Sequence, residues 1–258
     1  MLTAAVFGLI GGAALFLGAF VGIYTKISKH LVGAIMAFGS GVLISVLTTD
    51  LMQKAYESGG FDSVSIGFIL GALLFVGGDY LIDRFGGHVR KRGHSNRYLA
   101  KHANQSAGSD AALASSGSAI FLGAMLDGIP ESAAIGVGLA AGQGFGLVML
   151  VAVFLSNFPE GISGALGMKQ AGKTPGYIMA VWSSVVLTAG ISSVLGYQFL
   201  AKAAPDIMAA SLAIAAGAIL AMLADTMMPE AFEEGGRLVA LVTVLGFLAA
   251  FIVSRLAG

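Results

Sequence analysis

Two short stretches of the chain place a carboxylate directly after a proline inside apolar surroundings: Asp127-Gly-Ile-Pro130-Glu131 and Ser156-Asn-Phe-Pro159-Glu160. In each, another oxygen-bearing side chain, Asp127 or Ser156, precedes the glutamate by four positions. Positions i and i+4 of a helix share one face. Two such helices side by side direct Asp127, Glu131, Ser156 and Glu160 toward a common point. That is a small acidic cage of oxygen donors, and its natural guest is a divalent cation. Carboxylates at mid-membrane depth are costly unless they bind something. Pro130 cannot donate to the Leu126 carbonyl, nor Pro159 to that of Leu155, so each also frees a carbonyl beside the cage. The plain alternative is a pair of structural kinks, which leaves a glutamate after each one in lipid with nothing to hold.

The elements that must carry these residues are apolar spans. Of 258 residues, 57% are hydrophobic and 11% charged, against about 25% charged in soluble domains. Mean hydropathy is +0.87. The 38 glycines suit close helix contacts in lipid. The absence of cysteine excludes disulfides and thiolate metal sites, and a net charge of zero gives no reason to expect nucleic acid. Eight apolar segments stand out, at 3–24, 32–53, 63–84, 117–140, 144–167, 174–200, 207–229 and 236–256. Each approaches the ~20 residues that cross the hydrocarbon core, and each must be helical because lipid satisfies no backbone group. The first ends in Lys26 and Lys29, as a retained span does rather than a cleaved leader.

The expected organisation is one all-α, polytopic membrane domain. Spans 1–3 occupy 1–84, a flexible basic loop 85–116, spans 4 and 5 with the cage 117–167, and spans 6–8 the stretch 174–258. With the long loop in the cytoplasm, Lys26, Lys29, Arg84, Arg90, Lys91, Arg92, Arg97, Lys101, Lys169, Lys173 and Arg237 lie inside, and only Lys54, Lys202 and Arg255 outside. This bias puts both termini outside, which requires an even number of spans. A faint repeat links Ala55-Tyr-Glu-Ser-Gly-Gly60 to Ala231-Phe-Glu-Glu-Gly-Gly236 at an offset of 176, with Gly41 falling on Gly217. Spans 2 and 7 then run in opposite directions, so spans 1–3 and 6–8 form an inverted repeat around spans 4 and 5.

With these features in place, the chain resembles the ZIP (Zrt/Irt-like) family of divalent-metal transporters, in a prokaryotic form. The resemblance rests on eight spans with outward termini, a basic loop containing His88, His94 and His102, a Pro-Glu pair in each of spans 4 and 5, and Met-Met-Pro229-Glu230 in span 7. It implies a metal held between spans 4 and 5, a homodimer in a bacterial inner membrane, and alternating access by sliding or rocking of one helix group. Glu131 and Glu160 match the motif glutamates. Asp127 stands where span 4 usually has His, and Ser156 where span 5 often has His or Gln. Asn157 matches a second-site position, whereas Gly128 and Ala189 stand where two further second-site ligands are usual. The resemblance therefore implies one ion site, formed by Asp127, Glu131, Ser156, Asn157 and Glu160.

That donor set is all oxygen. Carboxylate and water suit manganese and magnesium, imidazole suits zinc and iron, and iron(II) accepts both. Zinc, iron(II), manganese or cadmium is the expected cargo, a substrate rather than a cofactor. Asp50 is a candidate for an entrance, which an ordinary end-of-helix charge explains equally well, and Asp225 and Glu230 are candidates for an acidic exit path. The three loop histidines do not have structural-zinc spacing. The chain lacks the HExxH of a metalloprotease, and no enzymatic activity is expected. The rival function is a proton- or sodium-coupled carrier of a small organic solute, using the same carboxylates for the coupling ion.

Overall fold

The computed structural model describes residues 1–84, 109–200 and 202–257, and among them there is no strand. The helices are α1 (Leu2–Tyr24), α2 (Lys29–Val46), α3 (Met52–Arg84), α4 (Ser109–Ala141), α5 (Gln143–Gln170), α6 (Pro175–Leu200), α7 (Pro205–Met222), α8 (Met228–Gly235) and α9 (Val239–Ala257). Capping fixes several starts. Ser28 Oγ accepts the Leu31 N–H at 3.3 Å ahead of α2, and Thr174 Oγ1 accepts that of Tyr177 at 3.3 Å at the head of α6. Pro175 and Pro205 open their helices where a missing N–H costs nothing.

The residues face inward or outward by size. On α1 the buried positions are mostly small (Ala4, Gly8, Gly11, Gly12, Ala14, Gly18, Ala19, Gly22), while Leu2, Val6, Leu9, Ile10, Leu17 and Phe20 are exposed. Lipid tails are as apolar as leucine, so membrane helices gain from close backbone approach and leave their large side chains outside. Five helical stretches among the described residues are long and apolar enough to cross a membrane. Two of these, Lys29–Ile82 and Pro205–Leu256, contain 54 and 52 residues, more than double the ~20 that one crossing needs.

Each long stretch is bent at a glycine: Gly60 has φ 69° and Gly236 φ 71°, the left-handed region that a Cβ disfavours. Each also contains a π-helical turn, at Leu47–Leu51 and Leu223–Met227. Both π turns and both bends are 176 positions apart, the offset of the sequence repeat. A threonine marks each turn. Thr49 donates to the Ser45 carbonyl at 2.8 Å, and Thr226 to that of Met222 at 2.7 Å. Such back-bonding competes with the helical ladder and helps to bend it.

The observed boundaries differ from expectation in three places. Residues 54–59 are helical, because nothing before Gly60 stops the turn. Helix also persists beyond 229 to Gly235, with Pro229 in the first turn of α8, where proline is tolerated. Helix α4 begins at Ser109 rather than 117. The Ala- and Ser-rich stretch after 109 reads as loop by polarity, yet alanine is the best helix former. The rest of the expected loop, with His88, His94 and His102, lies outside the described residues.

The helices sort into two groups. One contains α1, α4, α5 and α6, with α1 packed on α5 and α6, and α4 on both of these. The other contains α2, α3, α7, α8 and α9, built on the α3–α7 and α2–α9 pairs. The seam between them is formed mainly by α2 against α5 and by α4 against α7.

Candidate metal centre

Pro130 and Pro159 lie inside α4 and α5. Asp127 and Glu131 are both buried, one turn apart on α4. On α5, Ser156 and Asn157 are buried and Glu160 half-buried. A cavity of about 60 Å³ opens between α4, α5 and the neighbouring helices. Asp127 reaches it from α4, Glu160 and Ser163 from α5, Trp182 from α6, Thr226 from the π turn after α7, and Glu230 from α8. Ser163 Oγ donates to Glu230 Oε2 at 3.2 Å, a hydrogen bond across the seam.

The expected residues are only partly brought together. Asp127 and Glu160 share the cavity. Glu131 is fully buried one turn deeper, and neither of its oxygens has a hydrogen-bond partner. Ser156 and Asn157 are not on the cavity wall. The Ser156 hydroxyl donates to the Val153 carbonyl of its own helix at 3.0 Å. Asn157 turns to α1, donating Nδ2–H to the Gly11 carbonyl at 3.1 Å, while its Oδ1 accepts nothing. Among the described residues, no three Asp, Glu or His side chains converge closely enough to hold an ion as they stand. The carboxylates are gathered but not closed into a ring. Both Glu131 oxygens and the Asn157 oxygen are buried here without hydrogen bonds, and such groups are costly to leave unsatisfied.

The two positions that lack second-site ligands are occupied otherwise. Gly128 faces Val185 at van der Waals distance. Ala189 packs on α1, where a Cβ at Gly12 would come within 2.8 Å of its methyl group. Among the path candidates, Asp50 is held by hydrogen bonds from Thr49 Oγ1 and Ser254 Oγ, both 2.7 Å. Asp225 is half-buried in the second π turn and is not on the cavity wall. Glu230 is part of the cavity itself. Sequence reasoning placed it on an exit path, although Pro229-Glu230 is a third Pro-Glu pair and could have been read beside the other two. Ser163, Thr226 and Trp182 were missed, since nothing in their local spacing separates them from helix-packing residues.

No protein-family model matches the chain. Known proteins do. The chain is 28% identical to "Zinc transporter ZupT" of Salmonella heidelberg (strain SL476) over 240 residues, covering 90% of this chain and 88% of that one. It is likewise 28% identical over 232 residues to the proteins of that name from Salmonella paratyphi A and Salmonella newport (strain SL254), with 87% of this chain and 85% of each relative covered. The chain is thus similar along nearly its whole length to proteins named zinc transporters, and it joins that similarity to paired Pro-Glu motifs and to helices long and apolar enough to cross a membrane.

Proposed function

We propose that the protein carries divalent metal cations across the membrane toward the cytoplasm, with Asp127, Glu131 and Glu160 as the carboxylates that take the ion. One observation carries this reading: acidic side chains from both helix groups, Asp127 and Glu160 from one and Glu230 from the other, line a single small cavity at the seam. Its volume of about 60 Å³ leaves room for an ion and a few waters, since about 10–15 Å³ of such space admits one. Pockets for organic ligands run to ~300–1,000 Å³, so a carrier of organic solutes is disfavoured.

Eight crossings follow when each of the two long bent stretches is divided at its glycine and α4, which carries Asp127 and Glu131, is counted beside them; both termini then share one side, the outer one by the charge bias. The paired π turns and bends support an inverted repeat. Binding closes the ring: the Glu131 carboxylate, buried without a hydrogen bond, swings toward an ion held by Asp127 and Glu160. Ser156 and the free Asn157 oxygen supply further donors as α5 adjusts. Release follows when the group of α1, α4, α5 and α6 shifts along the seam and Glu230 withdraws. Gly128 and Ala189 offer no side-chain donor, so one ion is held per subunit, and two subunits pair as the family resemblance implies.

The test is uptake by proteoliposomes offered zinc, iron(II), manganese, cadmium and magnesium. Saturable uptake of one or more of these, unaffected by organic solutes, is the expected result. Uptake that needs an organic solute, with the metal dispensable, overturns the reading.

A further inference from the structure

Trp182 is the single tryptophan of the chain. It is 1% exposed, it lines the acidic cavity, and its indole N–H has no acceptor. A buried donor left without a partner is costly, and phenylalanine would fill similar space without that cost. The ring lies across the end of the cavity against α5, where a Cβ at Gly164 would come within 2.8 Å of Cη2. Helix α6 runs beside α4 in the same sense: Gly128 faces Val185, Ala133 faces Gly196, and Gly136 faces Ser193. One turn back from Val185, Trp182 therefore stands level with Ala124 and Asp127, and Ala124 shares its apolar cluster.

An indole N–H can only donate, so it cannot touch a cation. The charged acceptors that share its cavity are carboxylates, and Asp127 is the one on the helix α6 packs against. A carboxylate that binds an ion through one oxygen keeps lone pairs on the other, and a donor placed there fixes its orientation. The geometry points to Trp182 as a positioning residue of the ion site, its N–H holding the outer oxygen of Asp127 while the inner oxygen takes the cation. This rests on the cavity being the ion site. It also explains why a tryptophan, rather than an aliphatic residue, closes the wall.

Because Trp182 is the sole tryptophan, its emission reports on this bond in the unmodified protein. Zinc is the probe, being diamagnetic, so that an emission change reflects surroundings and not paramagnetic quenching. Saturating zinc is expected to change the emission of the purified wild-type protein, and to leave that of Asp127→Ala, which has no acceptor, unchanged. Trp182→Phe keeps the wall and loses the donor. It should raise the half-saturating zinc concentration for proteoliposome uptake about ten-fold, the low end for such orienting partners, with the maximal rate within about two-fold. In the Asp127→Ala background the same substitution should change it by less than about two-fold, as two residues acting through one bond require. Emission indifferent to zinc while wild-type uptake proceeds, or an equal effect of Trp182→Phe in both backgrounds, overturns the proposal. If Asp127→Ala takes up too little zinc to measure, the wild-type emission and the Trp182→Phe shift decide. If the wild type takes up no divalent ion at all, the reading of the cavity fails first, and this inference with it.

Discussion

Inside the group of α1, α4, α5 and α6, helices touch backbone to backbone. A Cβ at Gly161 would run into the Leu15 carbonyl, one at Gly18 into that of Phe158, and one at Gly136 into that of Ser193. The second group is built the same way: Gly41 abuts the Thr243 carbonyl, Gly217 that of Phe68, and Gly246 that of Phe38. The glycines at the seam make looser contacts. Gly39 would place a Cβ 3.1 Å from the Ser156 Cα, and Gly78 would meet the flexible Leu126 side chain. Glycine contacts in lipid hold helices by close fit. Two bodies held that way internally, and joined by looser contacts, part most readily at the join. The acidic cavity lies at that join, with carboxylates on both walls.

The largest expected effect tests whether the carboxylates on the α4–α5 wall take the ion. Glu131→Ala or Glu160→Ala should abolish metal uptake, while the protein remains folded and monodisperse in detergent. Glu131 has no hydrogen bonds to lose, so its removal breaks no polar contact and leaves only a small cavity. Wild-type uptake rates in either variant would show that the ion travels elsewhere.

Next in size is the contrast between glycines. Gly41→Ala forces a methyl group into the Thr243 backbone. Such overpacking costs about 1–3 kcal/mol, and thermal unfolding in detergent should come several degrees earlier. Gly39→Ala asks Ser156 to give by only a few tenths of an ångström. It should leave the melting temperature nearly unchanged and slow uptake several-fold, because it tightens the contact that has to move. Equal destabilisation by the two variants would erase the distinction between body and seam.

How much of this was legible in the sequence follows from what each feature depends on. The helices were readable because lipid leaves the backbone one solution and the apolar runs have crossing length. Helix persistence through residues 54–59 was not, since the polar Lys54, Glu57 and Ser58 look like a loop and only the Gly60 conformation ends the turn. Asp127 and Glu160 were readable from a four-residue spacing and a repeated motif. Asn157 bonds to the Gly11 carbonyl off the cavity wall because helical spacing gives a face only to within a quarter-turn, and here that margin separates the two. Trp182 and Thr226 reach the cavity by tertiary contact, from helices distant in sequence, and no local pattern encodes that.

A smaller effect concerns selectivity on the α4 wall. Asp127 is a hard oxygen donor where the ZIP family that the chain resembles usually has histidine. Asp127→His restores a nitrogen donor and removes one negative charge. It should shift competition toward zinc and away from manganese by several-fold. If Asp127 only shapes the cavity through water, all rates fall together and the zinc-to-manganese ratio stays where it was.

The smallest expected effect separates the two π turns. At the repeat offset, Asp50 corresponds to Thr226, which lines the cavity. Asp50 instead acts as a clasp, accepting hydrogen bonds from Thr49 and from Ser254 of α9 at 2.7 Å each. Ala at this position removes the acceptor that Ser254 uses, whereas Thr49 can still donate its one hydroxyl proton to the Ser45 carbonyl. Losing one such bond costs about 1 kcal/mol, so Asp50→Ala should lower the melting temperature by about 2–4 °C, as for a chain of roughly this size. Uptake should stay within two-fold of wild type. The opposite pattern, uptake reduced ten-fold or more with the melting temperature unchanged, would place Asp50 on the route of the ion. The two turns would then share a task as well as a shape, and the division between an acidic seam and a structural clasp would have to be redrawn.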